Sequence, residues 1–81
     1  MSDVTHSPVD SRFEDGATYL AYTRTGDRMV IEHTIVPPER EGQGVGGRLV
    51  QAAVAYARDQ GLALEATCSF ARSWLDRHAD A

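Results

Sequence analysis

An α+β fold follows from three features of the sequence: tight-turn signals that divide its first half into strands, a glycine-rich turn running into a stretch of helical period, and a strand and helix after that. The opening residues 1–8, "MSDVTHSP", are polar and aperiodic, which predicts a flexible N-terminus ahead of a single domain over 9–81. "SRFEDGATYLAYTR" reads as two short strands joined at Asp15-Gly16, a strong hairpin signal. Gly26-Asp27 turns the chain again into a longer strand from about Arg28 to Val36, so the three strands form an antiparallel meander. Pro37 and Pro38 end it, because neither can donate to a ladder.

Helical period appears in "VGGRLVQAAVAYARDQG". Val45, Leu49, Ala52, Ala53 and Tyr56 form one stripe, with Arg48, Gln51, Ala55 and Arg58 opposite. Gly61 suits the C′ position that closes the helix. "LALEATC" is a fourth strand in which Leu62, Leu64, Ala66 and Cys68 share a face. Ser69 is placed to N-cap a last helix whose apolar side is Phe70, Ala71, Trp74 and Leu75. A right-handed crossover through the first helix makes the third and fourth strands parallel neighbours.

Composition narrows the function classes. Eighty-one residues make one small domain, and a chain of this size buries about 60% of its unfolded surface. A net charge of −4 with dispersed arginines argues against nucleic acid as partner. One Cys and three scattered His exclude an intrachain disulfide and give no metal-ligand spacing. No apolar run is long enough to span a bilayer, and no signal-peptide pattern opens the chain, so the reading is a cytoplasmic protein without a membrane partner.

The string "EREGQGVGG" carries the functional question. From Gly42 it fits G-x-G-x-x-G, the dinucleotide fingerprint; from Glu41 it nearly fits R/Q-x-x-G-x-G/A, a pyrophosphate turn. A dinucleotide fingerprint follows the first strand of a βαβ unit, whereas an antiparallel meander and two prolines precede this one. A P-loop would need a Gly-Lys-Ser/Thr ending. On physical grounds the amides from about Gln43 to Gly47 fall in the first helical turn, free of helical partners. With the positive end of the helix dipole they form an anion site, and the glycines let a pyrophosphate approach. A glycine-rich helix start that holds no ligand is the bland alternative.

"EHTIVPPEREGQGVGGRLV", "CSF" and an aromatic helix ending in "RH", in this order and spacing, resemble the GNAT superfamily of acetyltransferases and its short single-domain YjdJ-type branch, over roughly Arg12 to His78. The resemblance implies a minimal GNAT-like fold that takes acetyl-CoA (coenzyme A) as substrate. The pantetheine arm would run between the splayed third and fourth strands. Coenzyme contacts would come from Ile35 and Val36 on the strand and from Gln43, Gly44, Val45, Gly46, Gly47 and Arg48 at the turn. Glu41 stands where the motif prefers Arg or Gln, and either Arg40 or Arg48 could supply the missing positive charge.

Acetyl transfer needs a base for the amine and an acid for the leaving thiolate. His33, near the end of the third strand, has an unperturbed pKa suited to general-base work. Cys68 lies beside a helix N-terminus that lowers a thiol pKa, so it could be acid, nucleophile or acyl acceptor. The resemblance points to the same pair as catalytic residues. The structural alternatives are plain: His33 shares strand parity with Met29, Ile31 and Ile35, and Cys68 is in phase with Leu62 and Leu64, so both could be core. A bulge would re-aim His33. Glu32 is an alternative base, Tyr19 and Tyr22 fall on opposite strand faces, His78 suits a helix C-terminus, and Phe70 and Trp74 read as core, with adenine stacking as the other option.

The expected activity is therefore acetyl-CoA-dependent N-acetylation of a primary amine. The chain lacks room for the elements that build enclosed acceptor pockets, so a protein or peptide lysine suits it better than a small enclosed substrate. A non-catalytic acyl-CoA-binding module is the runner-up, and an interaction domain with an empty turn is the third reading. Self-association is expected to be absent or weak, as a monomer or an edge-strand homodimer.

Overall fold

A computed structural model of the chain describes residues 4–78. Its elements are β1 (Thr5–Ser7), β2 (Arg12–Asp15), β3 (Thr18–Thr25), β4 (Arg28–Ile35), α1 (Val45–Gln60), β5 (Ala63–Ala66) and α2 (Ser69–Arg77). The strands form one sheet in the order β1-β2-β3-β4-β5, antiparallel except for the β4–β5 pair, which is parallel. The turns after β2 and β3 lie where the sequence places them: Gly16 and Gly26 take positive φ at the β2–β3 and β3–β4 hairpins, a conformation glycine adopts at no steric cost.

Side chains from one sheet face and from both helices make the core. Phe13, Leu20, Tyr22, Met29 and Ile31 point inward from the strands against Leu49, Val50, Ala53, Ala57 and Ala71. Val50 and Ala57 extend the buried face of α1 beyond the expected stripe, in which Ala52 and Tyr56 are only half-buried. Gly61 closes α1 at φ 67°, its amide reaching the Ala57 and Arg58 carbonyls. No helix among the described residues is long and apolar enough to cross a membrane.

Two expectations need correction. Thr5–Ser7, inside the segment read as flexible, is a strand paired with β2; residues 1–3 of that segment, and 79–81 at the other end, lie outside the described residues. The cause is His6, which stacks on Phe13 with ring centroids 4.2 Å apart and shares a 2.7 Å hydrogen bond with the Tyr22 hydroxyl. The second concerns α2, whose N-cap is Cys68 rather than Ser69.

Candidate active site

β4 and β5 part company halfway along β4. Their pairing runs from Arg28↔Ala63 to Ile31↔Ala66. Beyond it the Thr67 and Cys68 amides both turn onto the Ile31 carbonyl, at 3.0 and 3.3 Å. From Glu32 to Ile35, β4 keeps only β3 as a strand neighbour. The far edge of this half-strand carries backbone groups that want partners.

The glycine turn sits directly after this edge. A 3-10 turn over Pro38–Arg40 leads to Gly42 and Gly44, both left-handed with φ of 82° and 75°. Gly44 is the N-cap of α1 and offers no side chain to the first turn, which also holds no acidic residue. The first i to i−4 bond of α1 runs from the Arg48 amide to the Gly44 carbonyl at 3.1 Å, so the amides of Val45, Gly46 and Gly47 precede the helical ladder. Gln43 departs from expectation, because its amide closes the turn onto the Arg40 carbonyl, at a long 3.4 Å. Two left-handed glycines ahead of an uncapped helix suit the kind of concave amide nest that holds anions.

A cleft of about 560 Å3 joins the two features. Thr34, Val36, Gly44, Gly46, Phe70 and Trp74 are among its lining residues. Gly46 and Gly47 let α2 close this near: a Cβ on Gly46 would stand 2.9 Å from Phe70 Cζ, and one on Gly47 2.9 Å from Trp74 Nε1. Trp74 stacks on His78 at 3.9 Å, and His78 Nδ1–H donates to the Trp74 carbonyl at 2.8 Å. Phe70 is 39% exposed, a cleft wall rather than the core residue expected.

Of the two arginines that could balance Glu41, Arg40 is committed elsewhere. Its guanidinium donates to the Asp15 backbone carbonyl and lies 3.3 Å from the Asp15 carboxylate. Arg48 is the more exposed of the two and lies at longer range, 3.7 Å from Asp15 and 3.4 Å from the Gln43 carbonyl.

Cys68 and His33 are not brought to the same side of the sheet. Ala21 pairs with His33 but Tyr22 pairs with Ile31, so Glu32 is an extra residue in β4, a bulge. The expected parity of His33 with Met29 and Ile31 therefore breaks. Thr34 turns to the core face opposite buried Leu20, while His33 and Ile35 lie exposed on the other face. Cys68, on the core face, donates its thiol to Thr34 Oγ1 at 3.6 Å. Burial pushes this thiol up, but the Ala71 amide, the Thr34 hydroxyl and the Phe70 amide together outweigh it, and the thiol lies below its ordinary value. The Cys68 side chain closes no capping hydrogen bond; the amides act by nearness at the positive end of α2. The two residues thus flank the β4–β5 gap from opposite faces.

Thr34 and Asp15 are the residues that sequence reading passed over. The bulge that brings Thr34 inward leaves no mark in the alternation of Met29, Ile31, His33 and Ile35, and Asp15 is concealed by its role as a turn residue. Among the other candidates, Tyr22 is buried against His6 and Tyr56. Tyr19 lies on the open face beneath the Arg12 guanidinium, 3.8 Å from its ring centre. The described residues include no cluster of His, Cys, Asp or Glu able to hold a metal.

Comparison with known proteins places these features in a family setting. A family model described as GCN5-related N-acetyl-transferase matches residues 5–81. No curated protein matches. Among solved structures, the NMR solution structure of a GCN5-like protein from Staphylococcus aureus is 30% identical, with a TM-score of 0.77, over 99% of this chain and 85% of that one.

Proposed function

The chain belongs to the GCN5-related N-acetyltransferase family, and from that premise we propose that it binds acetyl-CoA and transfers the acetyl group to a primary amine. The observation that carries this reading is the parting of β4 from β5 beside an uncapped, glycine-lined helix start. An extended pantetheine arm would use the free edge of Glu32 to Ile35, continuing past Val36. The pyrophosphate would meet the amides of Val45, Gly46 and Gly47, with Arg48 at hand.

The thioester carbonyl would then lie in the gap, with one candidate group on each face. His33, exposed on the open face, takes a proton from the incoming amine. The amine nitrogen bonds to the carbonyl carbon, the carbon–sulfur bond breaks, and the electron pair leaves on the coenzyme sulfur. Cys68 protonates that thiolate, a direction its lowered pKa favours. No helix of the described residues covers the open face, which suits a lysine presented on a protein or peptide.

Thermal unfolding with coenzyme A, acetyl-CoA and NAD in parallel is the first test. Ligand at a hundred times its dissociation constant adds about 2.7 kcal/mol, or more than about 10 °C for a domain of this size. A shift with both coenzyme A species and none with NAD is expected; a flat response to all three overturns the reading. Acetylation of a lysine peptide follows, with His33→Gln expected to lower kcat about a hundredfold or more while keeping the coenzyme shift. A shift without turnover in the unsubstituted protein would mark a coenzyme-binding module instead.

A further inference from the structure

Asp15 ends β2 and is 6% exposed, although it is a carboxylate. A buried carboxylate of this kind needs compensating charge, and Asp15 draws it from two arginines at once. Oδ1 faces Arg40 at 3.3 Å and Oδ2 faces Arg48 at 3.7 Å. The two arginines are held differently. Arg40 also donates to the Asp15 backbone carbonyl, so it clamps the β2–β3 hairpin to the glycine turn. Arg48 reaches Asp15 with Nη2 only, and its Nη1 points at the Gln43 carbonyl inside the turn.

A guanidinium has five N–H donors in a fixed plane. One held from behind by a carboxylate keeps its remaining donors aimed forward, and a long side chain so oriented has already lost rotamer freedom that binding would otherwise take. We propose that Asp15 is a positioning residue for the coenzyme pyrophosphate: it fixes Arg40 as a structural clamp and aims Arg48 at the amide nest of the glycine turn. The inference rests on the coenzyme reading above. It assigns the charge that Glu41 displaces from the motif to Arg48, and it explains why a residue of the β2–β3 hairpin is paired with Arg40 of the glycine turn, 25 residues away.

A double-substitution cycle tests it. Coenzyme A dissociation constants are measured for the full chain, for Asp15→Asn, for Arg48→Gln and for the pair. Asp15→Asn keeps the shape of the side chain and removes the charge. If Asp15 acts through Arg48, Asp15→Asn weakens coenzyme A binding about fivefold in the unsubstituted protein and less than about twofold in the Arg48→Gln background. An equal loss in both backgrounds means that Asp15 only supports the fold, and overturns the proposal while leaving the coenzyme reading in place. Absence of coenzyme A binding by the unsubstituted protein overturns both. Should Asp15→Asn be too unstable to purify, Asp15→Glu carries the same cycle, because it keeps the charge and displaces it by one methylene.

Discussion

The Cys68 thiol lies 3.6 Å from the Thr34 hydroxyl oxygen, a contact that exists because Glu32 is an extra residue in β4. Without the bulge, strand alternation would aim His33 at the core and Thr34 at the open face. With it, the core side of the β4–β5 gap receives a thiol and a hydroxyl, and the open side receives an imidazole. One inserted residue thereby puts Cys68 and His33 on opposite faces of the sheet.

Thr34→Val removes the hydroxyl and nearly preserves the shape. Burial, which raises the Cys68 thiol, is unchanged, while one of the groups that lowers it is lost. The thiol pKa therefore rises. The rate of Cys68 alkylation by iodoacetamide, followed against pH, should reach its midpoint at higher pH in Thr34→Val than in the unsubstituted protein. An unchanged midpoint would mean that backbone groups, at Ala71, Phe70 and Thr34, set this thiol without the hydroxyl.

How much of this was legible in the sequence depends on how local the signal is. The hairpins at Asp15-Gly16 and Gly26-Asp27, the helix opened by the glycine turn and closed by Gly61, and the parallel β4–β5 pair all follow from residues adjacent in the chain or from a general connection rule. The bulge at Glu32 is a mismatch between two strands, and nothing in β4 alone announces it. β1 was hidden by its polar composition, since His6 is anchored by Phe13, Tyr22 and Tyr56, which lie far along the chain. Asp15 read as a turn residue because its partners Arg40 and Arg48 are contributed by a segment whose placement depends on the whole fold. At the site, the glycine turn and Cys68 were visible as motifs, whereas the side of the sheet on which His33 falls was not.

His6 makes stability depend on pH. Burial lowers its pKa from the ordinary value near 6.5, in a cage formed by Phe13, Tyr22 and Tyr56, with the Arg24 guanidinium 2.7 Å from the Tyr56 hydroxyl. The unfolded chain thus binds a proton on this ring at a pH where the folded chain does not. Stability is full above about pH 6.5 and is lost as pH falls below it, until the folded ring also titrates. The urea midpoint should fall between pH 7.5 and pH 5.5, and it should fall less in His6→Gln. The same decline in both proteins would place the effect on the carboxylates instead.

Gly46→Ala sets two effects against each other. Alanine favours a helix over glycine by at most about 1 kcal/mol, and Gly46 lies in the first turn, where the gain is smaller. At this position its Cβ would stand 2.9 Å from Phe70 Cζ on one side and 3.2 Å from Val36 Cγ2 on the other. Overpacking of this kind costs about 1–3 kcal/mol. Phe70 is partly exposed and can swing away, but only by leaving the cleft wall it forms with Val36. The cost should exceed the helical gain by about 1 kcal/mol, lowering Tm by about 4–8 °C. Coenzyme A binding should weaken as well, because the moved ring borders the same cleft. A Tm equal to or above that of the unsubstituted protein would show that α2 can shift as a body, and that Gly46 serves the approach of a ligand rather than the packing of two helices.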